Sequence, residues 1–174
     1  MQTVRRVYIS LPMNAEAEQL ISKLGMLPLP GEGGYFAQTW TSTSVGPDGR
    51  AMGSAILFLI TDTGFSALHR LGLEELWHFH AGDAVTLTQL DPGTGSHRTY
   101  VLGPDVTGGH FPQVLVPAGI WQGARLAPAG RRGWALLGCT LTPAWDEKEF
   151  ELGQRQALLR DFPAHAAAIT GLTR

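Results

Sequence analysis

The residues able to do chemistry concentrate between His69 and Gly82, where HRLGLEELWHFHAG sets three histidines and two glutamates within fourteen positions. An imidazole beside a carboxylate is a general base, because the carboxylate orients the ring and stabilises the imidazolium that forms on proton uptake. The same side-chain types also ligate divalent metals. A second stretch, VPAGIWQ from Val116 to Gln122, looks like the partner of the first across a barrel and brings an amide, Gln122, towards it. Alternate residues of a strand share a face. If Glu75 points inward, so do Trp77 and Phe79, and His78 and His80 lie outside. A one-residue bulge would instead turn Glu74, His78 and His80 inward. The spacing favours Glu75 inward.

The elements that must position these groups are short. From Tyr35 onward the chain runs YFAQTWTSTS, AILFLITD, LWHFH, AVTLTQL, RTYVLG, QVLVP and WALLGCTL, separated by turn signals such as VGPDGR, DPGTG and GPDVTGG. Many short strands of similar length closed by Gly, Pro and Asp predict an all-β sandwich or barrel. The runs are too close together for the crossover helices of a parallel sheet. AEAEQLISKLGM, residues 15–26, has helical apolar spacing, with Asn14 as N-cap and Gly25 as stop. After Pro143 the pattern returns to helix over residues 146–162 and again over AHAAAITGL, with acidic residues opening the first helix and arginines closing it.

Bulk properties exclude several classes. The 174 residues fit one domain with a real core. Net charge is -2, with 44% hydrophobic and 16% charged residues, so nothing advertises nucleic acid as a partner. No apolar run approaches the roughly 18 to 20 residues that cross a bilayer. The N-terminus is a poor signal peptide, and the expected location is cytoplasmic. A single cysteine, Cys139, excludes an intramolecular disulfide and a cysteine-based zinc site, and reads as a buried small hydrophobe. Gly33 and Gly34 lack the strand-to-helix context of a phosphate loop.

The first stretch resembles the first motif of the cupins, small β-barrels in which His-x-His is followed by three or four residues, Glu, six residues and Gly. His69, Glu75 and Gly82 match that spacing, and Pro117 and Gly119 match the second motif's Pro-x-Gly-x-x-His. The chain is more closely similar to a small single-domain branch of unknown function. Glu32-Gly33-Gly34-Tyr35-Phe36, Glu75-Leu76-Trp77-His78-Phe79, Leu102 to Asp105, Gln113 to Gln122, Gly138 to Thr140 and Asp161 to Pro163 carry that likeness. It implies an all-β double-stranded β-helix, a jelly-roll barrel with short N- and C-terminal helices. The single domain would span residues 1–174, divided into an N-terminal strand and helix (1–30), the barrel (about 31–145) and C-terminal helices (about 146–174). Metal-binding cupins converge two His, a Glu and a third His on a divalent ion; here the second position is Leu71 and the third is Gln122.

Some cupins epimerise or isomerise nucleotide-linked deoxysugars without a metal, using a His base and a Tyr acid. The resemblance therefore implies a metabolite-binding barrel acting as an epimerase, isomerase or tautomerase. His69 and Glu75 would form the acid–base pair and Tyr35 the candidate acid. Gln38, Trp40, Trp77, Phe79, Trp121 and Gln122 would line the ligand site, with core filling as the other reading of the aromatics. No cofactor is predicted. Two alternatives stay open: a non-catalytic ligand-binding cupin, and a metal-dependent enzyme whose weakly held divalent ion sits on His69, Glu75 and Gln122. Cupins commonly pair through an edge strand or a swapped N-terminal segment, so a homodimer is expected, with residues 5–13 as a candidate pairing strand.

Overall fold

The computed structural model describes residues 13–174. Most of the candidate pairing strand, residues 5–12, lies outside them. Helix α1 (Ala15–Lys23) begins as expected: the Asn14 side chain accepts the Glu16 N–H at 2.8 Å. The strands that follow are β1 (Leu27–Pro28), β2 (Tyr35–Thr41), β3 (Ser54–Thr61), β4 (Ser66–Leu71), β5 (Glu75–Gly82) and β6 (Val85–Leu90). After them come β7 (His97–Leu102), β8 (Gln113–Val116), β9 (Trp121–Leu126), β10 (Trp134–Leu141) and β11 (Phe150–Leu152). Two short helices close the chain, α2 (Arg155–Asp161) and α3 (Ala166–Gly171).

These strands form two antiparallel sheets, in the orders β1-β2-β3-β10-β5-β8 and β11-β4-β9-β6-β7. Successive strands β3, β4, β5 and β6 alternate between the sheets, and β10 returns late in the chain to fill the gap between β3 and β5. This is the jelly roll expected from the sequence. Its core lies between the sheets, where Phe58, Ile60, Trp77, Leu87, Val116 and Leu137 are almost fully buried. β3 reads as an unbroken apolar run because both its faces are covered. Phe58 and Ile60 point into the core, while Leu59 packs with Ala17, Met26 and Trp134 around α1. The Trp134 indole N–H also donates to Glu16, at 2.8 Å, pinning α1 to the sheet.

One expectation needs correction. Residues 146–162 do not form one helix. A 3-10 turn (Glu147–Glu149) leads into strand β11, which pairs with β4 through Phe150↔Leu71 and Leu152↔His69; only then does α2 begin. The charge order suited a helix, but tertiary pairing won. The Gly153 N–H donates to the Leu68 carbonyl at 2.7 Å, and a Cβ at Gly153 would come within 2.7 Å of that same oxygen. The consequence is functional, because β11 carries Phe150 onto the ring of His69. α2 and α3 then cover the outer face of the second sheet through Leu158, Phe162 and Ile169, packed on Leu68, Leu90 and Trp121.

Candidate functional site

β4 and β5 aim His69 and Glu75 into a cavity of about 380 Å³ at one end of the sandwich. Its walls come from the segment before β2 (Leu29, Pro30, Glu32), from β2 and β3 (Phe36, Gln38, Ile56, Phe58), from Leu71 and Trp77, and from Cys139 and Leu141 on β10. Trp145, Glu147 and Phe150 complete the rim. The surface is mostly apolar.

Glu75 sits at the centre of a closed hydrogen-bond triangle. The Gln122 amide donates to Glu75 Oε2 at 2.6 Å, and the Trp77 indole N–H donates to the same oxygen at 3.1 Å and to Gln122 Oε1 at 2.8 Å. An indole can only donate, so Gln122 must turn its carbonyl to Trp77 and its NH₂ to Glu75. Burial pushes the Glu75 carboxyl above its ordinary range. The charge of His69 opposes that rise, Glu32 reinforces it, and the two donors draw it partly back. Oε2 already accepts two N–H groups, so a proton bound to Glu75 belongs on Oε1.

His69 is buried and held from three sides. Its Nδ1 lies 2.8 Å from the Ala67 carbonyl, which favours the tautomer with a proton on Nδ1. Phe150 stacks on the ring with centroids 5.4 Å apart and planes inclined by 24°. Glu32 Oε1 approaches Nδ1 at 3.9 Å and is itself fixed by the Ser66 hydroxyl at 2.7 Å. Nε2 has no partner among the described residues, and the ring lines the cavity.

The glycines after Glu32 make its position available. Gly33 and Gly34 have φ of 99° and 72°, where side chains are strained, and a Cβ would meet the Phe65 carbonyl at 2.5 Å or the Leu59 carbonyl at 2.8 Å. The Arg174 guanidinium clamps the same loop, donating to the carbonyls of Gly31 at 2.5 Å and Glu32 at 2.9 Å.

The candidate residues divide unevenly. His69, Glu75, Trp77 and Gln38 line the cavity; Gln122 stands behind Glu75 as its amide support. Phe79 packs against the main core without lining the cavity. Tyr35 is on the opposite face of β2 from Phe36 and Gln38, against the α1 cluster, so it cannot be the acid imagined for it. Trp40 keeps the parity of Gln38 but loses its face, because a bulge at Thr39 shifts the pairing to Trp40↔Ala55; it is half exposed. Trp121 is adjacent to the inward Gln122 and therefore faces out. It carries the Arg70 guanidinium at 4.6 Å in a separate groove beside α2. His78 and His80 also lie outside the cavity, their rings parallel with centroids 6.4 Å apart, and His78 bonds Thr140 and Gln113.

Sequence reasoning missed Glu32 and Phe150 as site residues. The signal for Glu32 was present, as an acidic residue directly before two glycines in a motif already recognised. Phe150 was hidden inside the supposed helix. Cys139, expected as a buried hydrophobe, is buried but lines the cavity. Burial pushes its thiol well above the ordinary range, helped by Glu75 and Glu32, so it stays neutral.

The cupin metal set does not fit here. Leu71 replaces one ligand with a methyl-bearing side chain, and Gln122 turns its only metal-binding atom to Trp77. Among the described residues no group of three or more His, Cys, Asp or Glu is placed to hold an ion.

Two antiparallel sheets in jelly-roll order, enclosing an inward His–Glu pair from the first motif and Gln122 from the second, define a cupin-type barrel. The family model described as Cupin superfamily (DUF985) matches residues 18–153, and the chain belongs to that family. Among solved structures, protein SO0799 from Shewanella oneidensis is 33% identical, with a TM-score of 0.84 over 94% of this chain and 99% of that one. A hypothetical protein from Leishmania major is 31% identical, with a TM-score of 0.81 over 90% and 98%. A dTDP sugar isomerase from Desulfovibrio desulfuricans shares the fold at 17% identity and a TM-score of 0.53, over 79% and 83%. No curated protein matches the chain.

Proposed function

We propose that the barrel binds a small organic molecule and moves a proton on it, as an epimerase, isomerase or tautomerase. The observation that carries this reading is His69, its Nε2 unpartnered among the described residues, in a mostly apolar cavity that also holds Glu75. Nε2 takes the proton from a carbon next to a carbonyl. Glu75, whose burial favours its protonated form, returns a proton from Oε1. Glu32 on the Nδ1 side stabilises the imidazolium between the two transfers. This assignment replaces Tyr35 with Glu75 as the acid.

The closed triangle of Glu75, Gln122 and Trp77 favours a second reading, because those groups satisfy one another without any substrate. A non-catalytic ligand-binding barrel would need no more. Proton NMR in deuterated water separates the two. Small ketones incubated with the protein should exchange their α-protons faster than in buffer. The His69→Asn variant should lose that gain by at least about 100-fold, as expected for deletion of a general base. Undiminished exchange in a folded His69→Asn variant overturns the general-base assignment; binding without exchange in either protein favours the second reading.

A further inference from the structure

The charge distribution of the cavity bears on what it can hold. Its ionisable groups are three carboxylic acids (Glu32 and Glu75 inside, Glu147 at the rim), one imidazole and the neutral Cys139 thiol; among the described residues no lysine or arginine lines it. The guanidiniums tied to the segments that frame it are already engaged. Arg174 donates to backbone carbonyls of the Glu32 loop. Arg50 donates to the Ala144 carbonyl at 2.6 Å and to Glu149 at 3.1 Å, and its unpartnered Nη2 is sealed from solvent, out of a ligand's reach. Backbone donors do not compensate either. The loop with Gly33 and Gly34 directs carbonyls, not a nest of N–H groups, at its cationic neighbour, and the 3-10 turn that begins at Glu147 on the rim opens with carboxylates, Asp146 accepting its Lys148 N–H.

We propose that this cavity takes an uncharged, predominantly apolar carbonyl compound and rejects phosphorylated and carboxylated ones. An anion can be seated here within roughly 5 Å of Glu32, which lines the cavity. At an effective dielectric of about 20 that repulsion alone weakens binding on the order of 100-fold. Among the described residues that line the cavity, the one basic group, His69, already faces Glu32 at 3.9 Å. The rest of the lining, with Phe36, Ile56, Phe58, Leu141 and Phe150, presents a surface that rewards aromatic or aliphatic carbon. At about 380 Å³ the cavity is of a size for a bicyclic molecule. The ligand class rests on the proposed site; its carbonyl comes from the proposed proton transfer, while its lack of charge and its apolar body do not.

The test is a ligand-observed NMR titration of the full chain with three probes: acetonaphthone, its ring carboxylate acetylnaphthoate, and thymidine diphosphate. Acetonaphthone should bind, acetylnaphthoate at least about 100-fold more weakly, and thymidine diphosphate not at all. In Glu32→Gln the acetylnaphthoate handicap should shrink on the order of 100-fold, and Glu32→Ala gives the same readout should Glu32→Gln fail to fold. Failure of acetonaphthone to bind, or binding of either anion within threefold of it, overturns the ligand class. Acetonaphthone that binds selectively yet exchanges no methyl protons in deuterated water leaves the ligand class standing and removes the proton-transfer reading instead.

Discussion

Trp77→Phe tests the triangle on which the site is built. The indole N–H serves Gln122 Oε1 at 2.8 Å and Glu75 Oε2 at 3.1 Å, and the side chain is 1% exposed. Phenylalanine keeps much of the edge-on contact with Phe58, whose ring centroid lies 5.8 Å away, but removes the donor. Gln122 Oε1 is then a buried acceptor without a partner, which costs about 1–3 kcal/mol. Glu75, when ionised, also loses one of its two N–H donors, so the total at neutral pH should be about 2–4 kcal/mol. The sign of the pH dependence follows from the same bond. The folded pKa of Glu75 is raised, chiefly by burial, so the stability it contributes is full below its unfolded pKa and is lost as pH rises through the folded one. Trp77 opposes that rise, and its removal extends the loss to higher pH. The deficit of Trp77→Phe should therefore be larger at neutral pH than in mild acid. Urea unfolding followed by far-UV circular dichroism should show a lower midpoint with an unchanged slope. Combined with Gln122→Met, the cycle should return a coupling of at least about 1 kcal/mol. A loss below about 1 kcal/mol, or one that does not vary with pH, refutes the shared-donor argument.

Other perturbations probe the supports of the site. Glu75→Gln keeps an acceptor for both N–H donors but cannot ionise, so stability measured by urea unfolding should fall less than in the wild type as pH rises from mild acid to neutrality. Gly34→Ala forces a side chain into positive φ against the Leu59 carbonyl and the Phe58 ring, and should cost about 2–4 kcal/mol in the same assay. Arg174→Ala frees the carbonyls of Gly31 and Glu32; it should cost about 1 kcal/mol and raise amide hydrogen exchange in residues 31–34 while leaving β6 and β7 protected. Leu71→His combined with Gln122→His supplies the two donors that metal-binding cupins carry, and manganese should raise the melting temperature of that double variant and leave the parent unchanged.

The fold was legible because its signals are local and repeated. Short strands punctuated by glycine and proline announced a β-sandwich, and the spacing of His69, Glu75 and Gly82 identified which one. Inside and outside on β5 could be read from alternation alone, since Glu75 and Trp77 enter the cavity while His78 and His80 stay out. Alternation also contained warnings that went unused. Tyr35 and Gln38 differ by an odd number of residues, as do Trp121 and Gln122, so neither pair could share a face on a regular strand. Trp40 is a different case. The bulge at Thr39 that turns it out is set by pairing with β3 and has no mark in the local sequence. Phe150 was illegible for a similar reason, since its strand exists only because β4 offers a free edge.

Taken together, the departures from the metal-binding cupin pattern are coordinated. In a metal-binding cupin the cation neutralises the glutamate, so the carboxylate stays ionised and the histidines serve as ligands. Here Leu71 removes one ligand, and Gln122 substitutes an N–H donor for another and points it at Glu75. Trp77 adds a second donor to the same oxygen. Neither donor carries a full charge, so together they compensate burial only in part and Glu75 retains an elevated affinity for a proton. The spare carboxylate, Glu32, arrives from outside the two motifs and stands 3.9 Å from His69 Nδ1. The same set of positions that elsewhere holds a metal thus presents, with two substitutions and one glutamate brought in on a glycine turn, a hydrogen-bonded buried carboxyl group beside a histidine.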